Sequence, residues 1–265
     1  SGQPAAMSSA TMIPDGTGGM ILVWGDKRVP ATPTYVYELY AQRINAAGVP
    51  QWAADGVPVC VAPAAALAPL VAVSDGAGGV VVCWRDRRTS FAGLYAQRVD
   101  GAGNALWTAS GAPVSTAAGV SYTPAMARTT EGDYFIAWSD ARDNGDEAIY
   151  AQLLAPDGGP RWAVDGIPIG TAPYEQREPA VLADDSGGAF AVWSDDRRFN
   201  VPAYTSEYDL YAQRVTASGQ LGTVGVDPGP GARGIALAPA SRIPARGPVS
   251  LVLSLERDAD VRLDV

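Results

Sequence analysis

Apolar residues along this chain fall in short runs that stop at tryptophan. Met20-Ile-Leu-Val-Trp24, Val80-Val-Val-Cys-Trp84, Tyr134-Phe-Ile-Ala-Trp138 and Ala189-Phe-Ala-Val-Trp193 are each followed, two residues after the tryptophan, by Asp26, Asp86, Asp140 and Asp195. Such runs, rich in β-branched and aromatic residues and preceded by Gly- and Asp-containing turns, predict strands. No segment shows the 3.6-residue periodicity of an amphipathic helix. In the second such segment the pattern predicts strands over 69–73, 80–84, 94–99 and 105–114, with turns at Asp75-Gly-Ala-Gly-Gly79 and Asp100-Gly-Ala-Gly103.

The same order recurs along the chain. Trp-x-Asp-x-Arg occurs as Trp24, Asp26, Arg28; Trp84, Asp86, Arg88; Trp138, Asp140, Arg142; and Trp193, Asp195, Arg197. Each is followed by Tyr-Ala-Gln at Tyr40, Tyr95, Tyr150 and Tyr211, spaced 55, 55 and 61 residues apart. Trp52, Trp107 and Trp162 then precede Gly56, Gly111 and Gly166 by four residues, and in the fourth unit Leu221 stands where that tryptophan would fall. A fixed period of this size predicts an array of like units. Four antiparallel strands per unit, apolar on both faces, suit the blades of a β-propeller, whose sheets pack face to face. A stacked β-solenoid is the structural alternative, although its rungs are usually shorter. The expected fold is therefore all-β: a propeller over residues 1–226, with blades near 9–61, 68–115, 123–170 and 178–226. A linker at 227–233 (Asp-Pro-Gly-Pro-Gly-Ala-Arg) follows, and the strands of 234–265 are expected to form part of a β-sandwich.

The repeat motifs resemble those of a group of secreted bacterial proteins in which Gly-Gly-apolar-Trp-x-Asp-x-Arg and apolar-Tyr-Ala-Gln-Arg segments build propeller-like domains. The segment Leu237–Pro248, with Leu251-Val-Leu-Ser-Leu255 and Val261-Arg-Leu-Asp-Val265, is similar to the opening of the immunoglobulin-like C-terminal module of the hook-capping and type IX sorting type. The Tyr-Asp-x-x-Gly-Arg turn of that module is absent. The resemblance implies export to the medium or the cell surface, and it carries no catalytic residues.

Composition narrows the chemistry. A net charge of −9 argues against nucleic acid and anionic membrane surfaces as partners, and no apolar run is long enough to insert in a membrane. The chain has no histidine, which removes most general-base schemes and zinc sites. Cys60 and Cys83, its two cysteines, occupy different repeat positions and suit buried thiols, with a bridge between adjacent units as the alternative. No cofactor is expected. Asp143, Asp146 and Glu147 are a candidate calcium cluster, which an Asn-Gly hairpin turn explains equally well.

Carboxylates remain, and paired acids can hydrolyse glycosidic bonds. Yet residues repeated once per blade usually serve the blade, so the Trp, Asp and Arg of the repeat are expected to be structural. Loops that differ between units, together with the connections between blades, gather Tyr35, Tyr37, Phe91, Tyr122, Tyr174, Tyr204 and Tyr208, with Glu175 and Arg177, on one face suited to a ligand. The leading expectation is a non-enzymatic binding or assembly module, partnered by itself in a homo-oligomer or filament, or by a cell-surface glycan or protein. A carbohydrate-binding, lectin-like propeller and a carboxylate-based glycoside hydrolase are the alternatives.

Overall fold

A computed structural model describes residues 10–26, 37–61, 66–89, 92–119, 121–142, 145–196, 209–222, 241–243, 250–254 and 260–264. The expected all-β propeller fold is what it shows. Four meandering antiparallel sheets succeed one another along the chain. Blade 1 holds β1 (Ala10–Pro14), β2 (Met20–Asp26), β3 (Glu38–Ile44) and β4 (Val57–Cys60). Blade 2 holds β5 (Ala66–Ser74), β6 (Val80–Asp86), β7 (Gly93–Val99) and β8 (Ala112–Ser115), and blade 3 holds β9 (Ser121–Arg128), β10 (Tyr134–Asp140), β11 (Ala148–Leu154) and β12 (Ile167–Gly170). Blade 4 begins with β13 (Gln176–Ala183), β14 (Ala189–Asp195), β15 (Asp209–Val215) and β16 (Leu221–Gly222). The first strands converge at the centre, where β1 packs on β5, β5 on β9 and β9 on β13.

Strand register places like residues at like positions. Trp24, Trp84, Trp138 and Trp193 lie opposite Tyr40, Tyr95, Tyr150 and Tyr211. Alternation sends these pairs to the front of each blade and the intervening residues to the back. Each junction is thus a front packed on a back. Ile21, Val23 and Ala41 of blade 1 meet Val80, Val82 and Trp84 of blade 2. Val81, Cys83 and Ala96 meet Ile136 and Trp138 of blade 3, and Phe135, Ala137 and Ala151 meet Ala191 and Trp193 of blade 4. Three clusters fill three junctions, and among the described residues no fourth cluster joins blade 4 to blade 1. The front of blade 1 stays partly open: Met12 is 67 % exposed and Met20 38 %, whereas Trp84 and Trp138 are fully buried.

The fourth strand of a unit is shorter than the sequence suggests. In blade 2 only Ala112–Ser115 is strand, and Ala105 makes an isolated bridge to Val99 before the Trp107–Gly111 turn. In blade 4 the fourth-strand position is taken from further along the chain. β17 (Ser241–Ile243) pairs with Leu210, Tyr211 and Ala212, the positions that in blade 3 pair with β12. A hairpin of β18 (Ser250–Ser254) and β19 (Asp260–Asp264) follows. The linker and the segment at 234–239 lie outside the described residues. Both cysteines are buried thiols outside any disulfide, and they sit in different junctions.

Candidate functional site

The repeated polar residues are tied into the blades. Trp84 Nε1 donates to Asp86 Oδ2 at 3.0 Å, and Trp138 Nε1 to Asp140 Oδ2 at 2.8 Å. The same carboxylates accept from the arginines that follow, Arg88 at 2.6 Å and Arg142 at 2.7 Å. Each guanidinium lies over the blade's own tyrosine, 3.7 Å from the ring centre of Tyr95 and 3.9 Å from that of Tyr150. Each also crosses a junction: Arg88 donates to Cys60 Sγ, and Arg142 to Ser115 Oγ of the preceding blade. Trp24 and Trp193 donate to Asp26 and Asp195 in the same way, while Arg28 and Arg197 lie outside the described residues. The four aspartates are thereby committed to holding strand ends.

The loop face differs between junctions, because the residue between tryptophan and aspartate is not fixed: it is glycine at 25, arginine at 85 and serine at 139 and 194. At the mouth of the junction between blades 3 and 4 the structure assembles a carboxylate cluster. Glu147 ends the loop before β11, and its carbonyl accepts the Gln176 amide, which ties that loop to the start of β13. Arg177, the second residue of β13, sits 3.3 Å through Nε from Glu147 Oε1 and 2.6 Å through an Nη from Glu175 Oε1. Sharing one guanidinium keeps those two oxygens no further apart than about 8 Å, short of the roughly 9.5 Å that is the widest spacing of glycosidase carboxyl pairs. Asp196, just past β14, donates its amide to the Glu175 carbonyl and completes the group.

The environments of these acids differ. The Glu147 side chain is only 12 % exposed, and burial raises its carboxyl above the usual range despite Arg177 and a hydrogen bond with Ser139. Burial, then the neighbouring Glu175 and Asp195, raise Asp196. The backbone around Glu175 is strained. Tyr174 has φ 68° and Glu178 φ 54°, left-handed values that side-chain-bearing residues seldom adopt and that concentrate at functional sites.

Of the tyrosines expected on this face, Tyr122 lies at the start of β9 beside Arg85, and Tyr174 adjoins the carboxylate cluster. Tyr37 stands before β3 on blade 1. Tyr35, Phe91, Tyr204 and Tyr208 lie outside the described residues. Of the calcium candidates, Glu147 faces a guanidinium. Asp146 is exposed, Asp143 lies outside the described residues, and no metal-ligating group of three is found among the described residues. Asp196 was not singled out in the sequence. Its signal was a departure from the repeat, because the equivalent positions hold Lys27, Arg87 and Ala141.

No protein-family model matches the sequence, and no curated protein matches it. Solved structures do match in fold. An endo-arabinase from Bacteroides thetaiotaomicron shares 11 % identity over 96 % of this chain and 92 % of its own, with a TM-score of 0.48. An α-L-arabinofuranosidase from Fusarium graminearum, bound to an iminosugar inhibitor, shares 13 % over 80 % of this chain and 62 % of its own, at 0.47. A thermostable family-43 glycoside hydrolase shares 10 % over 89 % and 78 %, at 0.46. At these values the likeness is one of fold. The expectation of a non-enzymatic binding or assembly module is nevertheless corrected, since all three of these neighbours are glycoside hydrolases.

Proposed function

We propose that the junction between blades 3 and 4 carries a carboxylate-based glycoside hydrolase site, with Glu147 as general acid and Glu175 as the second acidic residue of the pair. The observation that carries this reading is the pair itself: two carboxylates from different blades on one guanidinium, one of them sequestered from water and raised. A pair of acids with divergent environments is what protonating a leaving group and stabilising or attacking the anomeric carbon require. Arg177 contacts both and holds them in place. Asp196 surrounds the pair with a third acid.

Both the repeated aspartates and the absence of histidine support this assignment of roles. The former are bound to tryptophan and arginine, and the latter leaves carboxylates as the available acid–base groups. A polysaccharide substrate outside the cell fits the export implied by the repeat motifs, so secretion is part of this proposal. No helix among the described residues is long and apolar enough to cross a membrane.

The test is reducing-sugar release from a panel of plant and microbial polysaccharides by the full chain and by Glu147→Gln and Glu175→Gln. Each variant is expected to lose about 10²–10⁴-fold in kcat. Because burial raises Glu147, the alkaline limb of the wild-type pH profile should lie above the usual glutamate range and disappear in Glu147→Gln. Unchanged cleavage in both variants would overturn the assignment, and glycan binding without cleavage would make the face lectin-like.

A further inference from the structure

The neighbouring mouth, between blades 2 and 3, carries charge of the opposite sign. Arg85 points from the back of β6 toward blade 3, where its guanidinium carbon lies 5.3 Å from the ring centre of Tyr122. It is half-buried, its Nε is out of contact with water, and that atom has no hydrogen-bond partner. The carboxylate next to it in sequence, Asp86, is engaged by Trp84 and Arg88. Burial lowers the Arg85 pKa, and after it the nearby charge of another cation, the exposed Arg87, lowers it further. A buried guanidinium N–H normally has a hydrogen-bond partner.

Tyr122 occupies on β9 the register position that Arg177 occupies on β13, each second in its strand, and β9 packs directly on β13. The two mouths therefore lie side by side on one face. Deepening the glycan reading above, and resting on it, we infer that Arg85, stacked on Tyr122 and assisted by Arg87, is a subsite for the carboxylate of a uronic acid, so that the substrate class is an acidic polysaccharide. A planar guanidinium offers paired N–H donors that match a carboxylate, and the tyrosine ring beside it offers a stacking surface for a sugar. The location fits a protein of net charge −9, because an anionic chain would need a local positive site to dock.

The probes are tetragalacturonate and its methyl ester, the same sugar with and without charge, titrated calorimetrically into the full chain carrying Glu147→Gln to prevent turnover. The free acid is expected to bind at least ten-fold more tightly than the ester. Arg85→Gln should abolish that preference and Arg85→Lys should retain part of it. If Arg85→Gln fails to fold, the acid-to-ester comparison and Arg85→Lys still decide. Equal affinity for acid and ester, no binding of either, or a preference that survives in Arg85→Gln would overturn the inference. Cleavage by the wild type is read separately: acid-selective binding without cleavage would keep the subsite and remove the hydrolase, and cleavage of neutral glycans without selectivity would do the reverse.

Discussion

Gly111 shows how closely the repeat is specified at single residues. Its φ is +100°, and a Cβ there would stand 2.5 Å from the ring of Trp84. Gly56 and Gly166 meet Trp24 and Trp138 in the same way, which is why glycine recurs four residues after Trp52, Trp107 and Trp162. Gly48 shares the positive φ (+78°) but has nothing within 4 Å. Gly48→Ala should therefore cost about 1 kcal/mol, the strain of a left-handed residue, and Gly111→Ala about 3 kcal/mol once the overlap with the indole is added. Denaturant midpoints of the two variants check the difference. Asp86 poses a parallel case. Asp86→Ala would leave the Trp84 indole and the Arg88 guanidinium without their acceptor and should destabilise by about 3 kcal/mol, read from the same curves. These residues were legible in the sequence because they repeat. The Glu147–Arg177–Glu175 cluster was legible only as a set of loop residues on one face, since the pairing across a junction depends on how two blades dock and no local pattern encodes that.

A second staple recurs at the opposite edge of each blade, between the first turn and the end of the third strand. Asp15, Asp75 and Asp184 accept from Arg43, Arg98 and Arg214. Blade 3 has Leu153 in place of that arginine, and Arg161, ten residues beyond Ala151, reaches Asp133 instead at 2.9 Å. For Asp184, burial alone would raise the carboxyl, but hydrogen bonds from Arg214 and Ser186 outweigh it and the pKa is lowered; Asp15 is lowered through Thr17 first and Arg43 after it. A depressed folded-state pKa stabilises above the unfolded value, about 3.9, and that contribution is lost as pH falls through the folded-state value. Stability should accordingly decline with acid below about pH 4. Asp184→Asn should flatten the decline while lowering stability at neutral pH, as thermal unfolding at graded pH would show. The strands themselves were readable from apolar runs and turns. The exception was the last strand of blade 4, because a three-residue segment after a long connection leaves no periodic signal.

At the scale of the molecule, stability is close to a sum over blades and the junctions between neighbours. The open front of blade 1 makes that sum uneven. Leu22, Trp24 and Tyr40 are only partly buried, whereas their counterparts in blade 2 lie inside a junction. Hydrogen exchange should be fastest in β1 and β2 and slowest in β6 and β10; uniform protection across the four sheets would contradict the three-junction arrangement.

The strand that β17 lends to blade 4 adds a dimension of time. A ribosome delivers the chain N-terminus first, and adding the residues between Gly222 and Ser241 takes about one to four seconds. Blades 1 to 3 can assemble as they emerge, each from contiguous sequence. For that interval blade 4 presents the edge of β15 at Leu210–Ala212 without its partner, which makes this the moment of synthesis most open to pairing with a foreign strand.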